Sequence, residues 1–123
     1  MLKDGKPVIA VSVAGGDGQD QAALQLLIDS IDFGLAPAEA VTSPRFGTNH
    51  LLGSFRQKAP DLGSLLINPE MGDKTIKELA ARGHKITVKK GTLWAPVLLR
   101  IDPMSRTIQA AGDPRAKRHA AAY

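Results

Sequence analysis

"VIAVSVAGGDGQDQAALQLLIDSIDFG", residues 8–34, holds the strongest structural pattern in the sequence. It passes from β-branched residues through clustered glycines into a helical repeat. Val8, Ile9, Val11 and Val13 put apolar groups on both faces of a strand, the pattern of a strand covered on two sides. Leu24, Leu27, Ile28 and Ile31 follow the i, i+3, i+4, i+7 spacing and predict a helix that buries this stripe. Asp17, with Asp20 three residues on, is placed to cap the helix, and Gly34 to end it. Between strand and helix lies "VAGGDGQDQ", residues 13–21, where bare backbone needs a reason.

On the N-terminal side, Asp4-Gly5 marks a turn. On the C-terminal side, "APAEAV" predicts a short helix with Pro37 in its first turn, stopped by Ser43-Pro44. Residues 45–60 show no period and read as a long loop with a short strand. Residues 62–67 are a second strand, closed by Asn68-Pro69. Asp73 is placed to cap a helix running to about Arg82, with Ile76, Leu79 and Ala80 on one face and Gly83 as its stop. Residues 85–89 alternate as a strand does, and residues 97–101 and 107–111 flank "DPMSR" as a hairpin. The pattern predicts an α+β fold in one domain over residues 1–123, without regular βαβ alternation.

The chain's 123 residues can bury one core, and 43% apolar with 23% charged residues is the balance of a folded domain. Aromatics at 4% argue against a base-stacking platform. The net charge of +4 permits a polyanion, but the bases are scattered apart from "RAKRH", so nucleic acid is not an expected partner. Cys is absent, which removes disulfides, thiolate chemistry and Cys-based metal sites. No apolar run approaches the length of a membrane span, so no membrane partner is expected.

Strand, glycine turn and helix is also the context of phosphate-binding loops. That reading does badly here. A dinucleotide fingerprint through Gly16 and Gly18 would need glycine at Gln21, and no Gly-Lys-Ser/Thr is present. Asp17 and Asp20 would also place negative charge where a phosphate sits. Two readings remain for Gly15 and Gly16. One is a tight turn that needs positive φ; the other is a pair of N–H groups aimed at one point, an oxyanion hole for acyl transfer.

A nucleophile is harder to find. No Gly-x-Ser-x-Gly elbow surrounds Ser12 or Ser54. His50, His84 and His119 lack metal-ligand spacing, and no metal or other cofactor is expected. Asp29 and Asp32 are neighbours on the helix, but a solvated face explains them better than an acid/base pair. Arg45, Arg56 and Arg115 could each fork a carboxylate, although a structural role is the plainer reading.

In order, "GGDGQ", "IDFG", "EAV" with "PRF", "ARGH" and the closing "GDPR" with its terminal Tyr make the chain resemble the C-terminal end of γ-glutamyltranspeptidases. Residues 47–65 resemble instead a γ-glutamyltransferase-like bacterial subgroup. The resemblance implies part of an N-terminal nucleophile hydrolase-like αββα sandwich, in which two stacked antiparallel sheets lie between helical layers. It implies a precursor that cleaves itself to expose a threonine nucleophile, acting on γ-glutamyl amides such as glutathione. The family's oxyanion pair falls on Gly15 and Gly16.

The same comparison puts the threonine and the residues that grip the glutamyl group upstream of Met1. None of Thr42, Thr48, Thr75, Thr87, Thr92 or Thr107 is in the matching context. The expectation is therefore a C-terminal segment of the small subunit, inactive alone, whose partners are the remainder of the precursor and a γ-glutamyl substrate. The rival expectation is a non-catalytic remnant that self-associates or binds a partner protein through an uncovered sheet face. A weaker third is anion binding through Arg115, Lys117, Arg118 and His119.

Overall fold

The computed structural model describes residues 1–54 and 58–122. The chain begins with a hairpin in which β1 (Leu2–Lys3) and β2 (Lys6–Pro7) pair antiparallel. The Asp4-Gly5 turn forms as expected, with φ of 51° and 74°, the two left-handed positions a two-residue hairpin favours. Strand β3 (Ile9–Ala14) then leads through a 3-10 turn at Gly16–Gly18 into helix α1 (Gln19–Ile31). Gly34, at φ 69°, turns the chain after α1, and the Leu35 N–H closes on the Asp29 carbonyl at 2.9 Å. Helix α2 (Pro37–Thr42) follows, with Glu39 accepting from the Ala36 N–H at 2.9 Å.

Three short strands and a helix build the middle of the chain. Strand β4 (Phe46–Gly47) pairs antiparallel with β5 (Ser64–Ile67). Helix α3 (Asp73–Ala81) carries the chain to β6 (Lys85–Val88), which pairs parallel with β5. One βαβ unit is thus present where the sequence suggested no regular alternation. The expected hairpin closes the chain: β7 (Ala95–Ile101) pairs antiparallel with β8 (Ile108–Gly112) and, on its other side, with β3.

The main sheet therefore has the order β3–β7–β8 and is antiparallel throughout. Its inner face packs on α1 and α2 through Ile9, Leu26, Ala40, Val41 and Leu98. Val11, Val13, Leu27, Leu35 and Ala111 border this core. Ala10, Ser12 and Ala14 point the other way and are exposed, beside the half-buried Ala95, Val97 and Leu99. The expectation of a strand covered on both faces is thus corrected: one face of β3 is covered, and the other presents the small residues Ala10, Ser12 and Ala14 to solvent.

The predicted helix stripe is corrected as well. Leu24 is 59% and Ile31 51% exposed, Ile28 lies at the exposed limit, and Leu27 only borders the core. The buried line on α1 is Ala22, Leu26 and Ser30. Each residue advances about 100° around a helix, so Leu24 lies nearly opposite Leu26. The helix had two apolar lines to offer, and its rotation was fixed by polar contacts described below. The predicted caps do not form either: Gly18 precedes α1 and Gly72 precedes α3, neither with a side-chain hydrogen bond. Asp73 is the first residue of α3, and Asp17 turns elsewhere.

Candidate active site

The glycine turn stands at the end of β3, where the chain must reverse to run α1 back over the sheet. Gly15 has φ 153° and ψ 22°, and Gly16 has φ 64°, both in the region that favours glycine. The first hydrogen bond of the 3-10 turn runs from the Gln19 N–H to the Gly16 carbonyl. The amides of Gly15 and Gly16 thus lie outside the turn's own ladder. Asp17, freed from capping, accepts instead from the Ser54 N–H at 2.9 Å and ties the turn to the long loop.

Two glutamines that the sequence did not single out lock this assembly together. Gln21 donates through Nε2 to the Thr48 carbonyl at 2.9 Å and accepts through Oε1 from the Thr48 N–H at 2.8 Å. Gln25 does the same with Phe46, at 2.8 and 3.1 Å. Four helical residues rise about 6 Å, and two strand residues about 6.8 Å, so an i, i+4 pair of amides can serve an i, i+2 pair of strand positions. The glutamines satisfy the free edge of residues 46–48 as a further strand would. They also set the rotation of α1, which turns Leu24, Ile28 and Ile31 outward.

The arginine forks find a carboxylate of this same chain. Arg45 and Asp113 are 2% and 0% exposed, and Arg45 Nη2 lies 2.8 Å from Asp113 Oδ2. Arg45 also donates through Nε to the Leu93 carbonyl at 3.1 Å and through Nη1 to the Val41 carbonyl at 2.9 Å. Arg115 donates its own N–H to Asp113 Oδ1 at 2.9 Å and reaches the Thr42 carbonyl at 2.9 Å and Glu70 Oε2 at 3.4 Å. The "PRF" and "GDPR" motifs thus form one buried network.

Burial would raise the Asp113 carboxyl, but the hydrogen bonds from Thr92 and Arg115 outweigh it and hold the group below the usual carboxylate range. Burial pulls Arg45 down, with the charge and hydrogen bond of Asp113 opposing it. Burial also pushes Asp29 up, and the charge of Arg45 works against that shift.

The remaining candidates lie apart. Ser12 is on the exposed face of β3, and Asp32 is exposed beyond α1. His50 Nε2 accepts from the Gly63 N–H, a role within the long loop. His84 follows Gly83, whose φ of 95° ends α3, as the sequence suggested. His119 lies in the tail, and Arg56 falls outside the described residues. Among the described residues no three His, Cys, Asp or Glu side chains gather as a metal site. No described helix is long and apolar enough to cross a membrane.

Beside the glycine turn is a cleft of about 310 Å³, lined by Gly15, Asp17, Gly18, Thr48, Lys58 and Trp94 among others. A three-stranded sheet with helices on one face, ending in a left-handed glycine pair, defines a class rather than a single enzyme. The chain belongs to the γ-glutamyltranspeptidase family, whose model, Gamma-glutamyltranspeptidase, matches residues 1–123. It is 30% identical over 116 residues to the glutathione hydrolase proenzyme of Escherichia coli (strain K12), covering 94% of this chain and 18% of that protein. The solved structure of LmbA2991HD is similar with a TM-score of 0.87 at 27% identity, covering 97% of this chain and 22% of that one.

A variant of Helicobacter pylori γ-glutamyltranspeptidase shares the fold with a TM-score of 0.77 at 24% identity, over 94% of this chain and 57% of that one. The α+β fold is thus that of the N-terminal nucleophile hydrolase-type transpeptidases, as the resemblance implied. The chain spans under a fifth of the length of the curated relatives it matches.

Proposed function

We propose that residues 1–123 form one partial domain, the C-terminal segment of a γ-glutamyltranspeptidase-like small subunit, and that Gly15 and Gly16 are its oxyanion donors. The observation that carries this reading is the left-handed glycine pair at the end of β3, whose amides stand outside the turn's hydrogen-bond ladder. In this reading a threonine hydroxyl from the remainder of the precursor attacks the γ-glutamyl carbonyl carbon. As the new C–O bond forms, the carbonyl oxygen takes the negative charge and the two glycine N–H groups hold it. The threonine's own α-amino group takes the hydroxyl proton and passes it to the leaving amine as the C–N bond breaks. Water or an acceptor amine then cleaves the γ-glutamyl ester, returning a proton to the threonine oxygen. The substrates are γ-glutamyl amides of the glutathione type, and the isolated chain turns none of them over.

The exposed face of β3, β7 and β8 supports the need for a covering element. In this reading it is supplied by the rest of the precursor. The test is Gly16→Ala in the full-length protein, with a γ-glutamyl anilide as substrate. Alanine keeps the backbone N–H but is strained at φ 64°, so the donor is turned off its target and kcat falls by on the order of 10²-fold, and unchanged turnover removes the assignment. The same apolar face also favours a second reading, a non-catalytic remnant that pairs with a second copy. A concentration-independent monomer in sedimentation counts against that one.

A further inference from the structure

We infer that Trp94 is the positioning residue of the glycine turn: its indole is the surface on which residues 15–18 are shaped, and the Arg45–Asp113 pair fixes the indole. The catalytic part of this inference rests on the oxyanion reading above. Three glycines from different parts of the chain meet this one ring. A Cβ on Gly15 would run into Trp94 Cδ1 and stand 3.0 Å from its Cγ. A Cβ on Gly18 would overlap Nε1 and Cε2, and one on Gly47 would overlap Cη2. Gly15 needs glycine for its backbone as well, at φ 153°. Gly18 does not, because its φ of −85° is open to any residue. Gly47, in β4, is not among the left-handed glycines either. The bare Cα atoms at 18 and 47 therefore answer to the indole, which lies against all three backbones.

The ring is itself held. Trp94 has φ 63°, a conformation bulky residues keep only where their surroundings impose it. Arg45 Nε binds the Leu93 carbonyl at 3.1 Å, one residue before it. Thr92 Oγ1 lies 2.8 Å from the Trp94 carbonyl and 2.7 Å from Asp113 Oδ2, and Arg45 Nη2 donates to that hydroxyl at 3.2 Å. The next residue, Ala95, pairs with Ala14, the residue before Gly15. A buried ion pair thus fixes residues 92–94, and Trp94 passes that rigidity across the strand end to the turn. The chemistry needs it, because donors help an oxyanion only if their directions are set before the charge appears. Two left-handed glycines are otherwise the softest joint in the chain.

The test uses the full-length protein with a γ-glutamyl anilide, measuring kcat and KM separately for Gly18→Ala, Trp94→Ala, Trp94→Phe and the doubles. Misplacing the donors by about an ångström costs on the order of 10²-fold. Gly18→Ala and Trp94→Ala are each expected to lower kcat by about that factor while KM changes less than about threefold. Trp94→Phe keeps a flat ring but lacks Cζ2 and Cη2, the atoms a Cβ at 47 would strike. It is expected to stay within about fivefold and to rescue Gly47→Ala, assayed alongside and expected to lose as much as Gly18→Ala. The double Gly18→Ala/Trp94→Ala is expected to be no worse than Trp94→Ala alone. Should Trp94→Ala not fold, the Phe rescue decides alone.

Gly18→Ala at full rate, or factors that simply multiply in the double, overturn the inference. If Gly16→Ala costs on the order of 10²-fold while Trp94→Ala keeps its kcat, Trp94 is no positioning residue and the oxyanion reading stands. If Gly16→Ala keeps turnover, the oxyanion reading itself falls, and with it the catalytic part of this inference.

Discussion

Replacing Asp113 by asparagine keeps the shape of the side chain and removes the charge that Arg45 faces at 2.8 Å. Breaking a buried pair from one side costs about 3–5 kcal/mol, because the surviving charge stays desolvated. Arg45 retains the Leu93 and Val41 carbonyls and the Thr92 hydroxyl, and the substituted amide can still accept from the Arg115 N–H. The lower end, about 3 kcal/mol, is therefore expected. With an urea m-value of about 2 kcal/mol/M, the unfolding midpoint should fall by about 1.5 M. The single tryptophan of the chain, adjoining this network, gives the fluorescence signal. Removing both partners in Asp113→Leu/Arg45→Met should cost less than either single change, since no buried charge is left alone. A midpoint within about 0.3 M of the parent, or simple additivity in the double, would refute the reasoning.

Acid should remove the same contribution. Asp113 is held below its ordinary value, so its stabilisation is complete above an unfolded pKa of about 3.9 and is lost as pH falls through the folded value. The gap in urea midpoint between parent and Asp113→Asn should accordingly shrink below about pH 4, and a constant gap would contradict the assignment. Gln21→Leu removes two hydrogen bonds to the Thr48 backbone and Gln25→Leu two to the Phe46 backbone, each bond worth about 0.5–1.5 kcal/mol, so each change should cost about 1–3 kcal/mol, read from urea midpoints. Leu26→Ala should cost about 2–5 kcal/mol in the chain, whereas Leu24→Ala, on the opposite line of α1, should stay within about 0.5 kcal/mol. Equal effects at the two leucines would mean that α1 is rotated differently from the arrangement described here.

The elements most legible in the sequence were those with a period and a punctuating glycine. The strand before Gly15, the helix ended by Gly34 and the hairpin around "DPMSR" all formed where the spacing put them. The rotation of α1 was not legible. Both Ala22–Leu26–Ser30 and Leu24–Ile28–Ile31 are continuous lines on a helix, and the more apolar line faces out. What chose between them was a pair of glutamine amides facing a strand edge more than 20 residues away. The caps failed because the glycines of the turn tightened into a 3-10 geometry, so Asp17 met Ser54 instead.

Arg45 and Arg115 take the structural role that was the plainer reading of the sequence, each against a carboxylate of the chain itself. The carboxylate proved to be Asp113, 68 positions from Arg45, and no local pattern announces a partner at that separation. Trp94 was invisible for the same reason. Its contacts are with residues 15, 18 and 47, and only their lack of side chains hinted at something lying against them.

If the oxyanion donors lie in residues 1–123 and the nucleophile in the rest of the precursor, neither part can turn over substrate without the other. The most direct measurement follows glutamate release from a γ-glutamyl anilide by three samples: the 123-residue chain, the separately produced Thr-led remainder, and their mixture. Silence is expected from each part and turnover from the mixture, with Gly16→Ala, which misaims its N–H, lowering that turnover by on the order of 10²-fold. Glutamate released by the chain alone, or full turnover by the remainder alone, would contradict this division of the site.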